Sequence, residues 1–412
     1  MRKVIVIGGG AGGMMAAIFA AQGGAQVTLL ERSEKLGRKV YITGKGRCNV
    51  TNDCTIDEFM REVPRNPRFL YSALSGFTPQ DMIALLEDNG CPTVTQRGRR
   101  VFPATEKASD VTRTLESILR RNRVELRFNT RVQEIHVTDG CVDGVVLENG
   151  QMLEGDAVIL ATGGLSYPGT GSTGDGYAMA QKLGHGMVQT RASLSGIVTA
   201  DDWPAQLQGL SLKNVTITMR RGKKVLYEEL GEMLFTHFGI SGPIVLELSC
   251  HLPDNIPDAD VALNLKPGLT CEQLDARLVR EFEAQPRKQL RSVMGTLLPA
   301  RFAELFPELC GLDGAKVCCQ ITREEREKLA EMLQALPIPV KALRPIAEAI
   351  VTRGGIPVKE ITPGTMESKL VQGLYFAGEV IDVDAHTGGY NLQIAWSTGA
   401  LAGRSAAEEP WA

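Results

Sequence analysis

Val4-Ile5-Val6-Ile7-Gly8-Gly9-Gly10-Ala11-Gly12-Gly13-Met14 is the stretch that decides the fold of this 412-residue chain. Four apolar residues, all of them β-branched and one after another, read as a strand buried on both faces. The glycine block is a turn, residues 14–21 are helix formers, and residues 25–30 form a second apolar run that ends at Glu31. This predicts a β-α-β unit within about thirty residues. Inside it lies Gly8-x-Gly10-x-x-Gly13, with Glu31 23 residues after Gly8. The first glycine permits a tight turn, the second leaves room for a pyrophosphate, and the third lets helix and strand pack closely. The helix N-terminus, including Ala11 and Gly12, then faces the phosphates, and Glu31 is placed for ribose hydroxyls. An acid at that position argues against a 2′-phosphate.

Working outward, 45 Lys and Arg against 48 Asp and Glu leave a net charge of −3, which gives no electrostatic reason to expect nucleic acid. The N-terminal apolar run is too short for export or membrane insertion. Nine cysteines are scattered without a Cys-x2-Cys pair, so neither a disulfide framework nor a metal site is expected, and a cytoplasmic location fits best. Cys48 and Cys54 are too widely spaced for the Cys-x4-Cys relay of flavin disulfide reductases, and Cys318-Cys319 is assigned to a strand. There are 44 glycines, well above the usual share of about 7%, and they cluster.

Residues 33–52 read as an extended basic loop, and helices are expected at 57–74, 78–90 and 109–121. Strands are expected at 124–128, 131–137, 142–147 and 157–160, with Asp139-Gly140 and Asn149-Gly150 as hairpin turns. From 191 to 350 the texture changes to a β-rich unit, with strands at 214–219, 225–227 and 261–265 and helices at 271–284, 287–298 and 323–335. The last helix opens with a Thr322-x-x-Glu325 capping box. A strand at 374–377 and a helix at 394–402 follow, and residues 408–412 are expected to be disordered. The domains are therefore 1–190, an insert at 191–350 with a helical portion at about 270–315, and a return at 351–412.

Two later blocks select the dinucleotide. Residues 158–160 run into Ala161-Thr162-Gly163, and residues 374–376 run into Ala377-Gly378-Glu379, each a buried strand ending in small residues. They resemble the two later motifs of glutathione-reductase-like FAD proteins, with Glu379 where that pattern has Asp. With Thr43-Gly44-Lys45-Gly46-Arg47-Cys48-Asn49-Val50-Thr51-Asn52, Ser166-Tyr167-Pro168, Phe235-Thr236-His237-Phe238-Gly239 and Gly388-Gly389-Tyr390-Asn391-Leu392-Gln393, the whole chain resembles the BaiN-like NAD(P)/FAD-dependent oxidoreductases. The resemblance implies an α/β fold: a Rossmann-type FAD domain built from N- and C-terminal segments and interrupted by a β-rich, barrel-like insert. It implies FAD as cofactor, held by the fingerprint residues together with Arg32, Val132, Asp382, Gly389, Tyr390, Asn391 and Leu392.

Arg38, Lys39, Lys45 and Arg47 put four cations within ten residues, suited to pyrophosphate or to an anionic reduced flavin; Gly44, Cys48 and Asn49 belong to the same block. The N-terminus of the last helix is suited to the flavin N1/C2 carbonyl region. Gly169-x-Gly171-x-x-Gly174 follows no strand directly and is rejected as a second dinucleotide unit, so NAD(P)H would dock transiently. Proton-donor candidates are His237, Tyr167, His386 and Tyr390. The expected activity is hydride transfer to a small-molecule enone, such as a 3-oxo-Δ4 or Δ6 steroid or bile acid. An oxygen-using amine oxidase and a non-catalytic flavin sensor remain open alternatives, and an RNA-modifying flavoprotein ranks behind them on net charge.

Overall fold

The computed structural model describes residues 1–253, 256 and 259–408, so four of the five terminal residues expected to be disordered lie outside the described residues. The chain divides into two compact units. One comprises 1–193 and 345–412, the other 194–344.

In the split unit a fully parallel sheet runs in the order Leu374–Phe376, Ala157–Leu160, Lys3–Ile7, Gln26–Leu30, Glu125–Arg127. The opening strand is interior to this sheet and Val4–Ile7 are all buried, so side chains on both of its faces are covered, which accounts for its unbroken apolar run. The glycine block leads into the helix Ala11–Gln22. That helix is buried nearly all round because the final helix, Tyr390–Ala407, lies against it. Gly399 and Gly403 make this possible: a Cβ at either would stand 2.3 Å from the carbonyl oxygen of Gly12 or Ala16, respectively. They are four residues apart and share one face. Part of the glycine excess therefore serves packing.

An antiparallel meander, Val132–Thr138, Cys141–Leu147 and Met152–Glu154, crosses over beside this sheet. Its first turn has φ of 50° at Asp139 and 80° at Gly140, the double left-handed geometry that an Asp-Gly hairpin favours. A second small sheet pairs Thr51–Asn52 and Thr93–Gln96 with Arg100–Pro103.

Several local expectations are corrected. The basic loop contains a short helix, Arg38–Ile42, started by left-handed Gly37. The helix expected at 57–74 is broken into Ile56–Arg61, a 3-10 turn at Pro67–Leu70 and Tyr71–Gly76. Pro64 and the left-handed Asn66 before Pro67 interrupt it. Cys318-Cys319 lie in a 3-10 turn instead of a strand.

The inserted unit is a seven-stranded antiparallel sheet with the long hairpin Ser211–Arg221 and Lys224–Thr236 at its centre. Helices Cys271–Ala284 and Arg323–Gln334 begin with full capping boxes. The expected helix at 287–298 is only Leu290–Met294, and Ala300–Leu309 follows as a separate helix after Pro299. Trp203, Phe235 and Phe302 centre a core of its own, with Phe235–Phe302 rings 5.6 Å apart, edge to face.

Candidate functional site

A cleft of about 1360 Å³, including open solvent at its mouth, lies in the split unit, above the ends of the strands that carry the glycine-rich turns. This is the C-terminal edge of a parallel sheet, where open α/β folds bind their ligands. Gly8 turns at φ +101°, and a Cβ there would meet the Ala161 carbonyl oxygen at 2.6 Å. A Cβ at Gly13 would lie 1.8 Å from the Gly8 oxygen, so Gly13 serves packing and does not line the cleft. Gly10 is different. It precedes the helix, lines the cleft, and a Cβ added to it would meet nothing within 4 Å. The space beside Gly10, at a helix N-terminus with unpaired amides, has the character of a phosphate cradle.

Glu31 closes the cradle from the next strand. Its carboxylate accepts from the Gly9 amide at 2.7 Å and from the Ser33 amide and hydroxyl at 2.8 and 2.6 Å. One acceptor position on Oε2 is left for a ligand hydroxyl. Beyond it, Arg32 and Arg131 both bind Asp175, at 3.2 and 2.9 Å. Burial raises the Asp175 carboxyl, but the hydrogen bonds and charges of the arginines, with the Thr173 hydroxyl, outweigh it and hold the group below its ordinary value. Val132 lines the cleft with Thr130 and Arg131 at this end.

Ala161, Thr162, Gly163, Gly378 and Glu379 form the middle of the wall. Thr162 Oγ1 is buried without a hydrogen-bond partner and faces Gly176, where an added Cβ would meet it at 2.0 Å, so this hydroxyl packs behind the wall. Glu379 accepts from Lys39 Nζ at 2.6 Å, the Thr352 amide at 2.7 Å and Ser166 Oγ at 2.9 Å. Burial pushes this carboxyl up, yet the Lys39 charge and these hydrogen bonds together bring it below the usual carboxylate range. Lys39 also donates to Ser166. Arg38, by contrast, lines the cleft with no side-chain partner among the described residues.

The far end is the first turn of the final helix, which starts at Tyr390, four residues earlier than expected. Asn391 and Leu392 line the cleft; the Asn391 side chain bonds the Ala385 amide and carbonyl at 2.9 and 2.7 Å. Gly389 has φ +103°, and a Cβ there would stand 2.4 Å from the Thr51 backbone. Asn52, Thr51 and Val50 anchor this turn: Thr51 Oγ1 bonds Gln393 at 2.7 Å, and Trp396 Nε1 bonds the Val50 carbonyl at 2.9 Å.

Other expected site residues stand behind the wall or away from it. Gly44, Arg47, Cys48, Asn49, Asp382, Gly389 and Tyr390 do not line the cleft. Arg47 pairs with Glu106 at 3.0 Å and stacks on Phe102, Cys48 is fully buried, and Asp382 accepts from Asn66. The proton-donor candidates are also outside the lining. Tyr167 is exposed, His386 bonds Glu62 at 3.0 Å, Tyr390 packs edge-on against Phe59, and His237 is an exposed turn residue of the inserted unit. Sequence reasoning missed Gly37, Thr43, Gly171, Ser172 and Asp175, which do line it. The signal for two of these, Gly171 and Ser172, was present in the Gly169–Gly174 match, which belongs to the same cleft without forming a second unit. Among the described residues no cluster of His, Cys, Asp or Glu suits a metal ion, and no helix is long and apolar enough to cross a membrane.

The chain is 31% identical over its whole length, and over all of the other, to a 3-dehydro-bile acid Δ4,6-reductase of Clostridium scindens. It is 33% identical to a ribosomal RNA dihydrouridine synthase of Haemophilus influenzae, covering 96% of each chain. Among solved structures, a quinol-fumarate reductase with menaquinol covers 99% of this chain and 71% of its own at 19% identity and a TM-score of 0.52, a likeness of fold. The model of the HI0933-like protein Rossmann domain matches residues 2–405, and the chain belongs to that family.

Proposed function

We propose that this chain is an FAD-dependent reductase that saturates a carbon–carbon double bond conjugated to a carbonyl, with NAD(P)H as a transient reductant. The observation that carries this reading is the cleft itself. Open space beside Gly10 and an unpaired Arg38 lie along one wall between two helix N-termini. Such a wall fits a pyrophosphate at one end and a redox ring that gains negative charge at the other. Bound FAD would supply two-electron hydride chemistry.

The protein's own part is positioning and electrostatics. The amides of Ala11 and Gly12 would hold the phosphates, and Glu31 would receive a ribose hydroxyl. Arg38 and the first turn of Tyr390–Ala407 would stabilise charge on the ring, while Ile350, Val351 and Val383 present apolar surface to the cleft. The cleft-lining residues include no Tyr, His or Cys.

The names of the relatives support one reaction class. A Δ4,6 3-oxo steroid and the uracil ring both offer a double bond polarised by a neighbouring carbonyl. The test is anaerobic. The purified protein is expected to show a flavin spectrum, to be bleached by NADH or NADPH, and to recover its colour on addition of a 3-oxo-Δ4 steroid or a uridine-containing RNA. A protein that retains no flavin, or is reoxidised only by oxygen with release of peroxide, would overturn the proposal.

A further inference from the structure

The segment Asp382-Val383-Asp384-Ala385-His386 leads towards the final helix and is itself neither helix nor strand. Its residues nonetheless alternate, as in extended chain. Val383 lines the cleft, whereas Asp382, Asp384 and His386 all meet one short turn, residues 62–66. Asn66 Nδ2 donates to the Asp382 carbonyl at 2.8 Å and to its carboxylate at 3.2 Å. Arg65 donates to the Asp384 carboxylate at 2.6 Å, as does Ser193 Oγ at 2.5 Å. The His386 amide donates to the Glu62 carbonyl at 2.9 Å, and its ring Nδ1 stands 3.0 Å from the Glu62 carboxylate.

The turn is built to be stiff. Pro64 and Pro67 bracket Arg65 and Asn66, each with its own φ locked. Asn66 is left-handed, at φ 52°, directly before Pro67, a conformation that glycine adopts more readily. What asparagine supplies in exchange is the amide that reaches Asp382. Asp384 is fully buried, so its charge depends on its bonds to Arg65 and Ser193. The connection then runs on to the far end of the cleft, because Asn391 bonds the Ala385 amide and carbonyl and donates to the His386 carbonyl at 3.2 Å. Val383 and Asn391 both line the cleft, and both take their place from this segment.

We infer that Arg65 and Asn66 are positioning residues for the redox ring, holding residues 382–386 so that Val383 and the first turn of Tyr390–Ala407 meet the ring in one fixed geometry. The inference rests on the reading of the cleft as a flavin site. Neither residue lines the cleft; both act through the segment they brace. A helix turn that stabilises an anion works through its distance from the charge, and a shift of about 1 Å in a reacting geometry can cost up to about a hundredfold in rate. Arg65 alone would serve a carboxylate that needed only neutralising. The Asn66 bond to the Asp382 carbonyl neutralises nothing and bears on position.

The test compares the full FAD-loaded protein with its Asn66→Gly, Arg65→Met and Arg65→Lys variants. Asn66→Gly suits the left-handed backbone and leaves the Arg65–Asp384 pair intact, so it removes the tie without unpairing a charge. Three quantities are read: Kd for oxidised FAD by calorimetry of apoprotein, the flavin spectrum with its midpoint potential, and the anaerobic rate of reoxidation by a 3-oxo-Δ4 steroid. In Asn66→Gly the Kd should stay within about twofold while the preference for reduced over oxidised flavin falls about threefold, a drop of roughly 14 mV at about 30 mV per tenfold. Reoxidation should slow about tenfold despite the greater driving force, with KM for the steroid unchanged. Arg65→Met should lose more, and Arg65→Lys should recover part of it. An Asn66→Gly protein with unaltered spectrum, potential and rate would overturn the inference. So would loss of flavin from every variant, which makes the turn a structural support only. A shifted potential in proteins that no enone reoxidises, the unsubstituted one included, leaves the positioning role standing and defeats the choice of acceptor. An unsubstituted protein that holds no flavin defeats the reading of the cleft, and this inference with it.

Discussion

Gly10 and Gly13 belong to one short motif, yet their surroundings predict opposite consequences for the same substitution. At Gly10 the backbone is extended, with φ −78°, and an added Cβ meets nothing within 4 Å. Replacing Gly by Ala there lowers unfolded-state entropy, a gain of about 0.4–1 kcal/mol. Loss of a glycine N-cap costs a similar amount. Thermal stability of the apoprotein should consequently stay within about 1 kcal/mol, or roughly 2–4 °C in Tm. The methyl group would occupy the cradle, however, and FAD affinity should fall at least tenfold, a loss of about 1.4 kcal/mol. At Gly13 the methyl group would stand 1.8 Å from the Gly8 carbonyl oxygen, and neither backbone segment can yield cheaply. Overpacking of this kind costs about 1–3 kcal/mol or more, so Tm should fall by roughly 2–12 °C at 2–4 °C per kcal/mol. Differential scanning fluorimetry with and without FAD, together with calorimetric titration of apoprotein, separates the cases. A ligand at a hundred times Kd stabilises by about 2.7 kcal/mol, and the Gly10→Ala protein should lose about half of that. If Gly10→Ala takes up FAD with unaltered affinity, the cradle is misplaced and the reasoning fails.

Glu379→Gln removes the negative charge facing Lys39 and turns one of its two acceptor oxygens into a donor that faces the donors Lys39, Ser166 and the Thr352 amide, and should destabilise the fold by about 1–3 kcal/mol, read by urea denaturation. The folded Glu379 carboxyl lies below its ordinary value of 4.5, so its contribution is present above that value and is lost as pH falls through the folded one. The substituted protein should accordingly show a shallower loss of stability on acidification below 4.5, and an identical acid profile would contradict the assignment. Among the thiols, exposed Cys141 and Cys319 should react first with Ellman's reagent. Cys48, which burial pushes up to about 12 against the opposing Thr43 hydrogen bond, should react only on unfolding; mass spectrometry of labelled peptides decides this. Gly403→Val would drive a side chain into the Ala16 carbonyl at 2.3 Å and should lower Tm by several degrees at a cost of about 1–3 kcal/mol, without touching the cleft.

The first β-α-β unit was legible because local sequence and global role agree there: the apolar run is buried, the turn is glycine, and the acid ends a strand. The meander was legible for the same reason, through Asp139-Gly140. What escaped depended on distant partners. Thr51–Asn52 is too short to show periodicity and is a strand only because Arg100–Val101 pairs with it. Gly399 and Gly403 look like ordinary small residues in a helix, and their role exists only against Gly12 and Ala16. In the cleft, the glycine positions were readable, whereas the unpaired state of Arg38 and the pairing of Lys39 were not, since neighbouring cations have identical local signals. Arg97-Gly98-Arg99-Arg100 gave no sign in sequence that Asn52 brings it beside Gly388.

The edge position of Leu374–Phe376 has a consequence for synthesis. Its partner strand, Ala157–Leu160, is wholly buried in the finished protein, but the ribosome makes the intervening chain before that edge can be covered. At about 5–20 residues per second this interval is roughly 10–45 s. Throughout it, an apolar strand edge competent for pairing with other chains stands open. Glu379, Asn391 and Leu392 also arrive at the end, so the cofactor's pocket is among the last parts of the molecule to exist. A chain ending at residue 345 and released from the ribosome should therefore hold no flavin and should depend on chaperones that shield strand edges, while the inserted unit, complete in it, should already resist protease.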